Sequence, residues 1–208
     1  SLSDYLYIKM TILNLIFLNF LIIFISYILG SIPSGYILTK YFLKVDITKE
    51  GSGNIGATNV LRSGSKTLGI ITLIFDTLKG VIPILIFNIS PYSVILAGLS
   101  VFIGHNYSIW LNFKGGKGIA TYLGIIFSTS LTLGFLFIII WLITSIIFRT
   151  SSISSLLTIF LIPFISIFLI ETKLVSILFF VLTIISFYRH SANIRRILDG
   201  NEPKIKIK

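Results

Sequence analysis

The chain has 208 residues, 55% of them hydrophobic and 12% charged, with a mean hydropathy of +1.00, which excludes a soluble domain and points to one integral membrane domain. The lack of cysteine excludes disulfides, thiolate catalysis and Cys-type metal sites, and two histidines argue against a His-rich metal centre. A net charge of +10 on so apolar a chain fits membrane topology, anionic lipid or anionic substrates, not nucleic acid.

Residues 1–10 are weakly polar and end at Met10, the only methionine. They are set apart as an N-terminal extension or start, and 11–208 as a single polytopic membrane domain. Residues 11–29 form a first apolar segment without the flanks of a cleaved signal, so they read as a retained span. The connection 30–66 holds five basic residues against Asp46 and Glu50. Residues 67–89 are a second span, and 91–103 a third, short one. The stretch 104–118 reads as a non-helical island between apolar runs. Residues 119–148 form the next run, and as one helix its 30 residues would reach ~45 Å, beyond the ~30 Å of hydrocarbon. Two further spans follow at 153–170 and 173–188. The tail 189–208 carries six basic residues against Asp199 and Glu202.

Charge placement decides the parity. One span over 119–148 would put Arg149 and the basic tail opposite the basic 104–118 loop. Two spans put every basic loop on one face, as the positive-inside rule demands. The expectation is an all-α protein of seven transmembrane helices, N-terminus outside and C-terminus cytoplasmic, with 119–131 unusually short.

Several motifs fall on that inner face. At 30–35, GSIPSG breaks the first span, which suits either a cavity lining or a plain helix end. At 51–62, GSGNIGATNVLR matches G-x-G-x-x-G, but no strand precedes it, so a dinucleotide site is rejected. What remains is a loop with Ser52, Asn54, Thr58 and Asn59 closing on Arg62, apt for a phosphate or simply a turn between helices. Asp76 and Lys79, three apart in the second span, can pair on one helix face; an unpaired charge there would cost several kcal/mol. A packing ion pair, a catalytic role and a proton relay all stay open. In 114–118, KGGKG is no Walker A motif, yet its glycines let backbone N–H groups turn toward one point beside two lysines and the start of a helix. A basic loop that only fixes topology is the plainer alternative. Ser152 and Ser155 share a face at a helix N-terminus, where they cap the helix or help bind an anion. His190 and Asn193, three apart, align on one face if the last helix continues, and His190 suits proton transfer or phosphate binding.

Together, GSIPSGY at 30–36, GSGNIGATNVLR at 51–62, DTLKG at 76–80, GHNYSIWLNFKGGKGIAT at 104–121 and RHSANIRRILDGNEPKI at 189–205 resemble the bacterial membrane acyltransferases that move an acyl group from acyl phosphate to glycerol 3-phosphate. Their order and spacing carry the resemblance from about residue 30 to 205. It implies a site at bilayer level facing the cytoplasm, in the bacterial inner membrane, with lysophosphatidic acid and phosphate as products. By position, Ser52 and Arg62 resemble the essential pair of the first motif. Gly115, Gly116, Lys117 and Gly118 are similar to the phosphate-binding loop, with Lys117 the preferred anion ligand. His190 and Asn193 match the third motif's functional pair, Glu202 its structural acid, and Ser155 a substrate-site serine. Ser191-Ala192 and Thr150 depart from the common pattern, which bears on tail packing more than on chemistry.

The expected partners are glycerol 3-phosphate, acyl phosphate, membrane lipid and an upstream enzyme that forms acyl phosphate; no nucleic acid, cofactor or metal is expected. An acyl phosphate is already activated, so positioning and charge stabilisation suffice and no acyl-enzyme is required. A transporter of organic phosphate is the rival class, but no inverted repeat is visible and the motifs cluster on one face. A purely structural anchor leaves the Gly-Lys clustering unexplained.

Overall fold

The computed structural model describes residues 2–205, so Ser1 of the expected extension and the tail lysines Lys206 and Lys208 lie outside the described residues. Every regular element among them is helical. The first helix, α1 (Leu2–Ser31), begins well before residue 11, so the weakly polar start continues the first span as helix. The chain breaks at 32–33 and resumes as α2 (Ser34–Leu38), which runs into a π-helical turn, Thr39–Leu43. A short α3 (Ala57–Arg62) ends the first polar connection.

The core bundle follows as α4 (Lys66–Ile86), α5 (Pro91–Asn106), α6 (Ile119–Thr129), α7 (Leu131–Phe148), α8 (Ser151–Leu169), α9 (Lys173–Arg189) and α10 (Ser191–Leu198). Local chemistry sets these ends. Ser65 caps α4 by accepting from Leu68 N–H at 3.2 Å, and Ser90 with Ser93 forms a reciprocal capping box ahead of Pro91. Ser130 separates α6 from α7: its extended backbone stops one helix while its hydroxyl accepts the Leu133 N–H of the next. The long 119–148 run is therefore two helices. At 11 residues, α6 reaches only about 16 Å, roughly half the hydrocarbon thickness.

Among the described residues, five helical stretches are long and apolar enough to cross a membrane, and a sixth counts if α9 and α10, bent by 60°, form one span. The chain is a multi-pass membrane protein. Large apolar side chains stay exposed along α1 and α7, among them Phe17, Phe20, Phe24, Ile139, Ile143 and Ile146, as lipid-facing helices require. Small residues sit where helices touch. A Cβ on Gly30 would strike the α5 backbone at Val101, and one on Gly80 would strike α6 at Thr121, so these pairs can approach closely. Phe102, Phe137 and Phe179 surround the Tyr122 ring at 6.2, 6.1 and 5.7 Å between centroids, forming the buried centre. The Tyr122 hydroxyl donates to Phe179 O at 3.2 Å, which satisfies its polar end in the core.

Candidate active site

The breaks at one end of the bundle converge on a cavity of about 470 Å³. From the first connection, Ser52, Asn54, Thr58 and Arg62 line it; from the far end come Ser155, His190, Asn193 and Glu202. Lys117 and Gly118 complete the polar end, with Asp76 and His105 also on the wall. Ile70 and Leu73 of α4, Leu123 of α6 and Phe137, Ile138 and Leu142 of α7 make the other end apolar. Ile70, Leu73 and Leu142 are themselves exposed on the lipid-facing side.

The first connection is organised by Asn59, which the sequence reading left without a specific role. Its amide donates to Glu50 O and Asn54 O at 2.9 Å each, and its Oδ1 accepts Ser52 N–H at 3.1 Å. Gly51 and Gly53 adopt left-handed backbone (φ 54 and 69), which lets the loop fold around that single side chain. Thr58 and Arg62 stand on α3, four apart and so on one face, and the Thr58 hydroxyl meets Ser151 Oγ at 3.2 Å.

The glycine–lysine loop differs from its expected form in two ways. Helix α5 continues through His105 and Asn106, so the island begins only at Tyr107. Gly115 and Gly116 do not line the cavity: their N–H groups donate back to Asn106 O at 3.1 Å and His105 O at 2.9 Å. Lys117 and Gly118 are the members that do reach it. Gly118 has φ 83, and a Cβ there would enter the Phe102 ring, so glycine is required on both counts. The first amides of α6 follow directly, and a helix start leaves such groups free to meet an anion.

A polar chain crosses the site. Lys117 Nζ donates to Asn193 Oδ1, and Asn193 Nδ2 donates to Glu202 Oε1 at 2.6 Å. Glu202 also accepts from Ser152 Oγ and Arg196 Nε, both at 2.7 Å. Arg62 Nη2 donates to Pro203 O at 3.3 Å, and Ile205 N–H to Arg149 O at 2.7 Å. The tail thus straps α3, α8 and α10 together. Ser152 serves this strap and Ser155 accepts from Trp141 Nε1 at 3.1 Å, so neither caps α8. Arg196 and Trp141 were unassigned from sequence; Trp141 carried no signal inside its apolar run.

The last helix does not continue past His190; the chain bends there, and the bend still buries His190 and Asn193 at the cavity. His190 Nδ1 lies 2.8 Å from Ser186 O, which can only accept, so Nδ1 carries the proton and Nε2 is the ring's lone-pair nitrogen. Burial, reinforced by the Lys117 charge, pulls the imidazole down to about 4, so it is neutral at physiological pH. Burial also lowers the Lys117 ammonium to about 8, with Glu202 opposing and Arg196, Arg189 and Arg62 adding to the effect. For Glu202, burial acts upward, but the hydrogen bonds from Asn193, Ser152 and Arg196 outweigh it and hold the acid below its usual range.

Asp76 and Lys79 form a buried pair at 2.8 Å, and Lys79 Nζ also donates to Ile32 O at 2.9 Å, which holds the break after α1. Among the described residues, no group of three or more His, Asp or Glu side chains is placed to hold a metal ion. The cavity therefore joins a cationic, donor-rich end, suited to phosphate groups, to an apolar end open toward lipid.

The family model for glycerol-3-phosphate acyltransferase matches residues 20–200. The chain is 50% identical to the glycerol-3-phosphate acyltransferase of Pelagibacter ubique over 184 residues, covering 88% of this chain and 95% of that one. It is 45% identical to the Mesorhizobium japonicum protein of the same name, covering 88% and 94%. Among solved structures, it is similar to PlsY (YgiH), an integral membrane glycerol 3-phosphate acyltransferase, in the glycerol 3-phosphate form. That likeness has a TM-score of 0.84 and 32% identity over 90% of this chain and 96% of that one. The lysophosphatidic acid form of the same protein matches with a TM-score of 0.82 and 31% identity, over 90% and 95%.

Proposed function

Because the chain belongs to the glycerol-3-phosphate acyltransferase family, we propose that it moves an acyl group from acyl phosphate to glycerol 3-phosphate, releasing lysophosphatidic acid and phosphate. The observation that carries this reading is the two-ended cavity, which suits phosphates at one end and a fatty chain at the other. In the proposed arrangement, residues 11–208 are one polytopic domain of seven spans in the bacterial inner membrane. The short α6 counts as a span, the N-terminus lies outside, and the site faces the cytoplasm. An upstream enzyme supplies the acyl phosphate.

The glycerol 3-phosphate hydroxyl attacks the acyl carbonyl carbon directly. The new C–O ester bond forms as the bond from that carbon to the phosphate oxygen breaks, and phosphate leaves with the electron pair. Lys117, Arg62 and the amides at the start of α6 hold and neutralise the phosphates. Ser52, Asn54, Thr58, Ser155 and Asn193 orient the polar substrate, with Asn193 also placing Lys117. The hydroxyl proton passes to His190 Nε2 or to an oxygen of a substrate phosphate. Glu202 holds the tail, and the Asp76–Lys79 pair holds the α1 break. The product lipid leaves sideways between α4 and α7, while phosphate leaves to water.

The test supplies palmitoyl phosphate and glycerol 3-phosphate to the purified protein in lipid. Equimolar phosphate and lysophosphatidic acid, dependent on both substrates and abolished in R62A and H190A, is the expected result. A folded protein that hydrolyses palmitoyl phosphate without acylating glycerol 3-phosphate would overturn the assignment.

A further inference from the structure

Arg189 stands at the end of α9, beside the site, but does not line the cavity. Its guanidinium instead grips the glycine–lysine loop from behind: Nη2 donates to Gly115 O at 2.8 Å and Nε to Gly116 O at 3.1 Å. Ser186, one turn earlier, adds a third tie by donating from Oγ to Lys117 O at 3.1 Å. Three successive carbonyls are thus drawn toward α9.

Peptide planarity then dictates the amides. In a trans peptide the N–H points opposite to the C=O before it, and there is no cis bond among the described residues. The Gly115 carbonyl held by Arg189 turns the Gly116 N–H toward His105 O, as observed. By the same rule, the Gly116 and Lys117 carbonyls turn the Lys117 and Gly118 N–H groups away from α9. Those two amides donate to no acceptor among the described residues, and both residues line the cavity. They join the α6 start as adjacent free donors, an arrangement suited to an anion.

The guanidinium is itself held in place. Its Cζ lies 5.1 Å from the centre of the Tyr107 ring, and Tyr107 O accepts from the Tyr27 hydroxyl at 2.9 Å. On the other side of the loop the His105 ring packs so closely on Gly116 that any Cβ there would meet it. The loop lies between a fixed fork and a fixed ring.

We infer that Arg189 is a positioning residue: it aims the Lys117 and Gly118 amides at a bound phosphate by fastening the Gly115 and Gly116 carbonyls to α9, without touching the phosphate. This rests on the acyltransferase reading for the identity of the phosphate, not for the geometry. A fork and an ammonium differ here, because one Lys Nζ cannot reproduce two fixed donors.

The test compares wild type with R189K, R189Q and S186A, all full-length and purified in detergent. Two readouts are taken: stabilisation against heat by inorganic phosphate, and KM against kcat for glycerol 3-phosphate and palmitoyl phosphate. The expected result is that R189K and R189Q both weaken phosphate binding about tenfold or more and raise KM for a phosphate substrate similarly. Saturated kcat stays within about threefold of wild type, and S186A lies between. Wild-type phosphate affinity in R189K would show that charge alone suffices and overturn the clamp. So would variants that only melt earlier while phosphate affinity and KM stay unchanged. A wild type that phosphate stabilises but that turns over neither substrate would sink the assigned reaction, while loss of that stabilisation in R189K would still uphold the clamp.

Discussion

The Asp76–Lys79 pair offers the sharpest energetic prediction. Asp76 is 2% and Lys79 6% exposed, and their charged atoms lie 2.8 Å apart. At an effective dielectric constant of ~20 the attraction at that distance is about 6 kcal/mol, most of it offset by the desolvation of both ions. Removing one partner forfeits the attraction but leaves the other ion buried, a loss of about 3–5 kcal/mol. K79M also strips a donor from Ile32 O at the α1 break, so it should lie at the upper end of that range. At roughly 2–4 °C per kcal/mol for a chain this size, each single variant should melt about 6–20 °C below wild type in the same detergent. D76N/K79M removes both charges and should melt above either single variant. Near-wild-type melting of K79M, or strictly additive losses in the double variant, would refute a coupled buried pair.

Three further outcomes follow from the site. Lys117 loses its charge as pH rises through about 8, so kcat/KM for the phosphate substrates should fall on the alkaline side; K117R, which keeps its charge, should lack that limb in a pH–rate profile. The Glu202 carboxyl is held below its usual range, so its support of the tail persists in mild acid and is lost only as pH falls through the depressed value. E202A should free the tail beyond Leu198 at neutral pH, read as faster cleavage there in limited proteolysis. At the apolar end, F137L opens space beside Leu123 and Ile138, so competing acyl phosphates should shift toward longer or bulkier chains while KM for glycerol 3-phosphate holds within about twofold.

Hydropathy and turn chemistry made most of the helices legible. The run 119–148 was too long for one span, and Ser130 divides it because its side chain satisfies one helix start while its backbone stops another. Helix α5 was harder to bound: Gly104, His105 and Asn106 look like loop residues, yet Gly104 remains helical because it packs against α1, where a Cβ would strike Tyr27 O. The direction of the glycine-loop amides was not legible at all. It depends on Arg189 and Ser186, some 70 residues away, and on a bend at His190 that no local composition announces. Asn59 was visible as a polar residue in a glycine-rich loop, but its hub role depends on loop carbonyls that only the fold brings together. Trp141 was hidden for the opposite reason: its neighbours are as apolar as lipid, and only the α7–α8 packing brings its N–H to Ser155.

The central claim is that one cavity holds both substrates and that the acyl group passes directly between them. Pre-steady-state mixing of the protein with acyl-labelled palmitoyl phosphate, first without and then with glycerol 3-phosphate, tests this most directly. Direct transfer predicts no early burst of phosphate and no label on quenched protein until glycerol 3-phosphate arrives, after which phosphate and labelled lysophosphatidic acid rise together. A burst of phosphate equal to the enzyme concentration in its absence, with label on the protein, would contradict it.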